Sequence, residues 1–155
     1  AFRYDTKIIL EEFIKGREVE VAVLGNANPK ASVPGEILPS HEFYSYEAKY
    51  IDEHGAAVEI PAKMSAKDSA RARELAAKVF QALDCAGMAR VDFFFTTRGQ
   101  FIVNEINTLP GFTKISMYPK LWGETGLPYP KLLDQLIKLA IEQKAKKNKL
   151  KRSFN

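Results

Sequence analysis

Two apolar runs joined by a turn dipeptide, within residues 89–108, constrain the fold of this chain more than any other feature. Phe93–Phe95 and Phe101–Val103 are strand-prone, and Arg98-Gly99 between them is typical of a two-residue hairpin turn. Strands joined by so short a turn run antiparallel. The segment therefore predicts a β-hairpin and, with it, an antiparallel sheet.

The expected register of this hairpin brings three polar side chains together at its open end. The turn is expected to be closed by Thr97 and Gln100. In that register Asp92 lies opposite Glu105. Asn107 is two positions beyond Glu105 and therefore shares its face of the sheet.

Facing carboxylates suggest a bound cation. Two carboxylates about 5 Å apart across a sheet repel unless a cation or a proton lies between them. Two carboxylates and one amide carbonyl are hard oxygen ligands, which suit a magnesium ion that also binds water and substrate phosphates. The plainer alternative is a solvated polar face, which many hairpins expose. The apolar surroundings favour the metal site, as does the following Pro110-Gly111 pair, which predicts a tight turn with exposed backbone amides.

Length and composition limit the class of protein. With 155 residues the chain is long enough for one domain with a hydrophobic core. It has neither an apolar stretch long enough to span a membrane nor a secretory signal pattern, so we expect a soluble, cytoplasmic protein. The single cysteine, Cys85, excludes an internal disulfide framework and is expected to pack at a helix end.

The net charge of +4 is concentrated at the C-terminus. Residues 141–155 contain six basic residues and one glutamate, so they carry +5 and the rest of the chain carries −1. The body of the domain therefore has no predicted basic face, and no nucleic acid or membrane partner is expected. Residues 144–155 are expected to form a basic, frayed tail.

The first part of the chain predicts strands. Residues 7–14 and 18–24 are expected to form a hairpin around Lys15-Gly16-Arg17, and the alternation in the second strand predicts one face in solvent. Residues 26–32 are rich in turn formers, and residues 33–39 predict a short strand. Residues 40–57 are polar and aromatic without a clean period, which predicts a long loop of the kind that is often functional.

Helices alternate with this sheet later in the chain. Ser65 and Asp68 resemble a capping box that begins a helix, which is expected to stop by Gly87. Residues 116–122 predict a short helix that ends at Gly123. The last helix is expected to begin at Pro130, and its apolar side comprises Leu132, Leu133, Leu136, Ile137 and Ala140. The predicted class is α+β, with helices flanking an antiparallel sheet.

Several further residues could take part in binding. Glu11 and Ile14, beside Glu12 and Phe13, could bind a flat heterocycle, although strand ends are often simply acidic and exposed. Lys49 could reach a phosphate, and the neighbouring Tyr50 could contact a substrate; a surface position is the ordinary alternative.

Arg90 and the start of the short helix could bind anions. Arg90 lies two residues before Asp92, so it could contact a phosphate or an oxyanion, or form an ion pair with the same carboxylates. Ser116 and Met117 occupy a predicted helix start, where free amides favour a carboxylate, unless Ser116 is only a cap. The two histidines lack ligand spacing, and no Ser-His-Asp set, Walker loop or GxGxxG motif is present.

Four ordered segments of the chain resemble a known family. They are Glu11-Glu12-Phe13-Ile14 with Glu18, the loop Phe43-Tyr44-Ser45-Tyr46-Glu47-Ala48-Lys49-Tyr50, Ala89-Arg90-Val91-Asp92, and Asn104-Glu105-Ile106-Asn107-Thr108-Leu109-Pro110-Gly111-Phe112-Thr113. Together they closely resemble the C-terminal part of the D-alanine–D-alanine ligases, which are ATP-grasp enzymes. The resemblance covers residues 1–143, so it implies a portion of an ATP-grasp domain from a larger enzyme.

The resemblance implies a ligase that supplies peptidoglycan precursors. ATP phosphorylates the carboxylate of one D-alanine, and the amine of a second attacks the acyl phosphate to give the dipeptide. Two magnesium ions, or manganese in their place, are implied as cofactors, and the full-length enzyme is expected to be a homodimer.

The resemblance also implies roles for individual residues. The implied metal ligands are Asp92, Glu105 and Asn107, with Glu105 bridging the two ions. The implied nucleotide contacts are Glu11 and Ile14 at adenine, Glu18 at the ribose, Phe43 and Phe94 around the base, and Lys49 at a phosphate. The implied catalytic groups are Arg90 and the Gly111 amide at the oxyanion, with Tyr50 on the active-site loop. Ser116 and Met117 are implied to hold the carboxylate of the second substrate.

This chain departs from the family in length, because members are longer. The missing N-terminal half is expected to supply the site of the first substrate and part of the ATP site, so the chain alone is expected to be inactive. Tyr50 in the YEAKY loop favours D-alanine over D-lactate as acceptor. Two alternatives stay open: another ATP-grasp carboxylate-amine ligase, and a noncatalytic module that binds nucleotide, or nucleic acid through the basic tail.

Overall fold

A computed structural model describes residues 2–39, 56–113 and 115–150 of the chain. Its strands are β1 (Gly16–Gly25), β2 (Lys30–Ala31), β3 (Gly35–Pro39), β4 (Ala56–Glu59), β5 (Gly87–Thr96) and β6 (Phe101–Asn107). Its helices are α1 (Ala66–Ala82), α2 (Met117–Glu124) and α3 (Tyr129–Asn148). The strands form one sheet in the order β4-β3-β1-β5-β6, with β2 paired to β1, and every pairing is antiparallel. The predicted α+β class with an antiparallel sheet is confirmed.

The sheet buries both of its faces along the central strand β1. One core cluster joins alternate residues of β1 and β5 to α1, and comprises Val21, Val23, Ala31, Ala72, Ala76, Phe80, Ala89, Val91 and Phe93. The other joins the opposite face to α2 and α3, and comprises Ala22, Leu24, Met117, Tyr118, Leu121, Trp122 and Leu132. The prediction that one face of residues 18–24 contacts solvent is therefore wrong, because Val19 to Leu24 are all buried.

The predicted first strand, residues 7–14, is absent from the described sheet. Residues 7–15 are irregular, and β1 already begins at Gly16, so Lys15-Gly16-Arg17 is not a hairpin turn. The reason lies in the pairing of β1, whose residues Glu18–Glu20 bond to β3 on one edge and to β5 on the other. No edge of β1 is left there for a preceding strand, and Ile9, Leu10 and Phe13 remain exposed.

The predictions for residues 26–39 agree with the structure. The turn-rich residues 26–32 include only the two-residue strand β2, and the predicted strand at 33–39 is confirmed as β3. Of the predicted loop at 40–57, residues 40–55 lie outside the described residues, and Ala56 and Ala57 already belong to β4.

Helix α1 begins as its sequence predicts. The Ser65 side chain accepts a hydrogen bond from the Asp68 amide at 3.1 Å, which caps the first turn. The helix ends at Ala82, however, and Gly87 is the first residue of β5. Cys85 lies half-buried in between against the α1 core cluster, as expected, and burial raises the pKa of its thiol.

The hairpin of β5 and β6 has the predicted register at its open end, but its pairing near the turn differs from the prediction. The Thr96 amide bonds to the Gln100 carbonyl at 2.9 Å and Phe95 pairs with Phe101, so Thr97 and Gln100 do not close the turn. The register is therefore one residue out near the turn. A β-bulge between the Phe93 and Asp92 pairs restores it, because Asp92 then lies opposite Glu105.

The two C-terminal helices differ from prediction at their ends. Gly123 lies inside α2, which continues to Glu124 before Gly126 turns the chain with φ of 93°. Helix α3 begins at Tyr129 and extends to Asn148, so residues 144–148 of the tail expected to be frayed are helical. Residues 151–155 lie outside the described residues.

The apolar side of α3 is only partly covered. Leu132 is buried and Leu136 packs beside it, whereas Leu133 and Ile137 are 39% and 61% exposed. In the parts of the chain described above, no helix combines the length and the apolar character that crossing a membrane requires.

Candidate functional site

Three carboxylates form a row across the middle of the sheet. Glu20 on β1 pairs with Asp92 on β5, and Asp92 pairs with Glu105 on β6. Directly paired residues share a face, so the three side chains lie side by side on the face that α2 partly covers. We call Glu20, Asp92 and Glu105 the carboxylate row. The predicted facing of Asp92 and Glu105 is confirmed.

Arg90 is bound to two members of this row. Its Nε donates to Asp92 Oδ1 at 2.8 Å and its Nη2 donates to Asp92 Oδ2 at 2.7 Å. Its Nε also lies 3.0 Å from Glu20 Oε2. Burial lowers the pKa of Arg90, but the hydrogen bond to Asp92 and the charges of Glu20, Asp92 and Glu105 outweigh it and raise the pKa overall. Arg90 therefore stays charged at neutral pH.

This ion pair changes the electrostatic argument for a metal. The sequence left open whether Arg90 pairs with the carboxylates, and the structure confirms the pair. A cation thus already lies beside Asp92, and the repulsion between Asp92 and Glu105 does not by itself require a metal. The row and Arg90 still carry a formal charge of −2 in total, which favours a divalent cation at this position.

The donor atoms near the row suit a hard cation. Asn107 lies opposite Arg90 on β6, and its Oδ1 accepts a hydrogen bond from the Leu109 amide at 3.1 Å. Glu105 is exposed and Asn107 is half-buried, so both are accessible. The residues in 2–39, 56–113 and 115–150 contain no group of three or more His, Cys, Asp or Glu arranged to hold a metal. The candidate set instead has two carboxylates and one amide oxygen, which fits magnesium with its water and phosphate ligands.

The residues predicted to contact a nucleotide are only partly brought together. Glu18 pairs directly with Phe94 across β1 and β5, two residues from the carboxylate row and on the same face. Glu11 is exposed and Ile14 is half-buried in the irregular segment before β1. The predicted loop residues Phe43, Lys49 and Tyr50 lie in 40–55, outside the described residues.

The loop between β6 and α2 contains Ser116 and leads into Met117, the two residues that the sequence predicts to bind an anion. Ser116 Oγ accepts a hydrogen bond from the Thr113 amide at 2.9 Å and lies 2.9 Å from Thr113 Oγ1. Ser116 occupies the N-cap position of α2, but its side chain makes no capping bond to the helix. The Met117 side chain is buried in the core, so its backbone amide is the group that remains for a ligand.

A cluster of three aromatic residues, which the sequence analysis did not predict, holds this loop against α2 and α3. The Phe112 ring lies 5.7 Å from the ring of Tyr118 and 5.6 Å from that of Tyr129. The Tyr118 hydroxyl donates to the Val23 carbonyl at 2.9 Å, and burial raises the pKa of this phenol. The loop that carries Gly111 is therefore tied to α2, α3 and the central strand.

Glu20 is a further residue whose place in the site the sequence did not predict. Its alternation with Val19 and Val21 predicted an exposed side chain, yet it is 5% exposed. A signal was available, because Glu20 shares its face with Glu18 and is the position in β1 that meets Asp92 once β1 is placed beside β5. The pairing of Glu20 with Asp92 can be inferred only when the strand order is known, and the sequence does not give that order directly.

Gly111 is a position where a side chain would disturb the loop. A Cβ at Gly111 would lie 2.9 Å from Ser116 Oγ, the atom that holds Thr113. We expect Gly111→Ala to lower the free energy of unfolding by about 1 kcal/mol through this overlap. Urea denaturation of the 155-residue chain measures the change.

The control is Gly123→Ala, because a Cβ at Gly123 meets nothing within 4 Å. This substitution lies inside α2 and should raise stability by up to about 1 kcal/mol. Ser116→Ala removes the obstructing oxygen, so Gly111→Ala should cost less in that background. An equal cost of Gly111→Ala in both backgrounds would contradict the proposed overlap.

Comparisons with known proteins identify the family. The family model described as D-ala D-ala ligase C-terminus matches residues 1–138. The D-alanine–D-alanine ligase of Oceanobacillus iheyensis is 57% identical over 153 residues, which are 99% of this chain and 42% of that protein. The chain therefore spans about two fifths of the length of this relative.

Solved structures agree with this result. The D-alanine–D-alanine ligase from Coxiella burnetii matches with a TM-score of 0.82 and 47% identity, over 96% of this chain and 38% of that one. The D-alanine–D-alanine ligase from Bacillus anthracis complexed with ATP matches with a TM-score of 0.73 and 28% identity, over 88% of this chain and 42% of that one. The chain belongs to the D-alanine–D-alanine ligase C-terminus family.

Proposed function

We propose that this chain is the C-terminal part of an ATP-dependent ligase that joins two D-alanines for peptidoglycan precursor synthesis. It contributes the metal and phosphate side of the active site and the site for the second substrate. The observation that carries the proposal is the pairing of Asp92 with Glu105, with Arg90 and Asn107 as the next pair on the same face. The relatives named above support it, because each is a D-alanine–D-alanine ligase and the one from Bacillus anthracis is complexed with ATP.

Asp92, Glu105 and Asn107 are the residues that would hold magnesium. When bound, the metal neutralises negative charge on the nucleotide phosphates. The formal charge of −2 on the row and Arg90 attracts such a cation to this part of the sheet. Manganese, which shares the preference for oxygen ligands, would bind the same residues.

The nucleotide lies along the same face in this proposal. Glu18 and Phe94, which pair across the two central strands, bind the ribose and cover the base. Glu11 and Ile14 contact adenine from the segment before β1. Phe43 and Lys49 take the roles that the family resemblance implies for them, at the base and at a phosphate.

The oxyanion and the acceptor are handled by Arg90 and the β6–α2 loop. The Arg90 guanidinium and the Gly111 amide stabilise the negative charge that develops on the oxygen of the reacting acyl group. Ser116 and the Met117 amide bind the carboxylate of the second substrate at the start of α2. Tyr50 orients the substrates and favours a D-alanine acceptor over D-lactate.

The remaining half of the site comes from the preceding part of the full-length protein. That part binds the first D-alanine and completes the ATP site, and the whole enzyme acts as a cytoplasmic homodimer. The 155-residue chain alone is therefore expected to be inactive.

The decisive assay compares the full-length protein with this chain. Incubated with ATP, magnesium and D-alanine, the full-length protein should release ADP and phosphate in step with formation of D-alanyl-D-alanine. The chain alone should form no dipeptide above background. Dipeptide formation by the chain alone, or none by the full-length protein, would contradict the proposal. Replacing D-alanine by D-lactate as acceptor tests the specificity and should give little product.

A further inference from the structure

Glu20 is a buried carboxylate that the proposed function does not yet use. Its side chain is 6% exposed, and its Oε2 lies 3.0 Å from Arg90 Nε. Burying a carboxylate in a central strand is costly unless an opposite charge accompanies it, and Arg90 is such a charge. The position of Glu20 is thus tied to Arg90 and not to packing alone.

Arg90 is shared between two carboxylates, and only one of them is a candidate metal ligand. Both oxygens of Asp92 accept hydrogen bonds from Arg90. A divalent cation that approaches Asp92 is repelled by the nearby guanidinium, and it competes with Arg90 for the lone pairs of Asp92. Metal binding at Asp92 is therefore easier if the charge of Arg90 is also balanced by another group.

The order of the strands supplies that group on the correct side. Across the sheet, Glu20 lies on one side of Asp92 and Glu105 lies on the other. Arg90 can therefore keep Glu20 as its partner while Asp92 shares a cation with Glu105. The negative charge of Glu20 also adds to the attraction for a cation at this site.

We propose that Glu20 is a positioning residue, which anchors Arg90 in the sheet and thereby raises the affinity of Asp92 and Glu105 for a divalent cation. This inference rests on the proposed function, because it takes Asp92 and Glu105 as metal ligands. It concerns a residue to which neither the sequence analysis nor the family resemblance gave a role.

The test is a titration of the full-length protein with manganese in the presence of ADP, in which electron paramagnetic resonance measures the free manganese. Glu20→Gln keeps the shape of the side chain and removes its charge, and should weaken manganese binding about tenfold. Glu20→Asp keeps the charge but withdraws it from Arg90 Nε, and should weaken binding about threefold. Thermal unfolding of each variant shows whether it is folded.

Glu36→Gln is the matched control. Glu36 is 6% exposed and forms an ion pair with Arg17, but it lies on the opposite face of the sheet because it pairs with Val19. Loss of the Glu36 charge should lower the free energy of unfolding and leave the manganese affinity unchanged. If Glu36→Gln weakens manganese binding as much as Glu20→Gln, softening of the sheet explains both and the inference is overturned.

The remaining outcomes separate this inference from the proposed function. Unchanged manganese affinity in folded Glu20→Gln overturns the role of Glu20 and leaves the ligase proposal intact. If Glu20→Gln does not fold, Glu20→Asp decides, and wild-type affinity in that variant overturns the inference. If the wild-type protein binds no manganese in the presence of ADP, both the inference and the proposed metal site are wrong.

Discussion

Glu105→Gln in the full-length protein should reduce dipeptide synthesis by more than about a hundredfold, because loss of a direct metal ligand should exceed the 10- to 100-fold cost typical of outer partners. The substitution replaces one carboxylate oxygen by an amide nitrogen and keeps the shape of the side chain. Glu105 is exposed, so the protein should remain folded. The initial rate of dipeptide formation and the thermal unfolding midpoint are the two measurements.

Glu74→Gln is the control for this change. Glu74 is an exposed glutamate on α1, where it pairs with Arg71 and Lys78 on the far side of the sheet from the site. It changes the net charge by the same amount and should leave the rate unaffected. Activity of Glu105→Gln within about threefold of wild type, at saturating magnesium, would show that Glu105 does not bind an essential metal.

Arg90→Gln should affect both stability and activity. Arg90 is 19% exposed at its side chain and forms ion pairs with Glu20 and Asp92, which are 6% and 13% exposed. Removing it leaves two poorly solvated carboxylates beside each other, which should cost about 2–4 kcal/mol of unfolding free energy. It also removes the proposed oxyanion contact, so the rate of dipeptide synthesis in the full-length protein should fall by about a hundredfold or more.

The matched variant is Arg17→Gln, which breaks the partly buried ion pair between Arg17 and Glu36. Arg17 Nε donates to Glu36 Oε1 at 2.7 Å, and its side chain is 37% exposed. Because solvent screens this pair more, the loss should be smaller, about 1–2 kcal/mol. Arg17 faces away from the carboxylate row, so folded Arg17→Gln should keep its activity. Equal losses of activity in the two variants would assign the effect of Arg90 to stability alone.

The pattern of side chains in residues 89–108 predicted the β5–β6 hairpin but not the pairing of its strands near the turn. Phe93–Phe95 and Phe101–Val103 are apolar and strand-prone, and they form the hairpin as expected. The predicted pairing was one residue out near the turn, which Thr96 and not Thr97 closes with Gln100, and the bulge that follows was not predicted. The two deviations cancel at Asp92, so the facing carboxylates were predicted correctly although the intermediate register was wrong.

The strand partners explain most of the other differences. Residues 7–14 have the composition of a strand, but Glu18–Glu20 of β1 already pair with β3 on one edge and with β5 on the other. The alternation of Glu20 with valines predicts an exposed side chain. The prediction failed because a single sequence does not reveal that β1 is central and covered on both faces. Local signals fared better: the Ser65 cap depends on neighbours within one turn, and it formed as predicted.

Arg90 shows that the sequence predicted which side chains lie together but not how their charges balance. The spacing of Arg90 and Asp92 places them on one side of β5, which the structure confirms. The charge balance, however, depends on Glu20, which lies far from both in the sequence and reaches them only through the pairing of β1 with β5. The attraction of this face for a cation therefore depends on the summed charge of Glu20, Arg90, Asp92 and Glu105 and not on one repelling pair.

Anomalous X-ray diffraction from manganese is the most direct test of the central claim. Crystals of the full-length protein grown with manganese and ADP should show an anomalous peak within about 2.5 Å of oxygen atoms of both Asp92 and Glu105. Arg90 should remain beside Glu20 in the same crystals. A manganese peak bound by other residues, with Asp92 still held by Arg90 and Glu105 free of metal, would contradict the account.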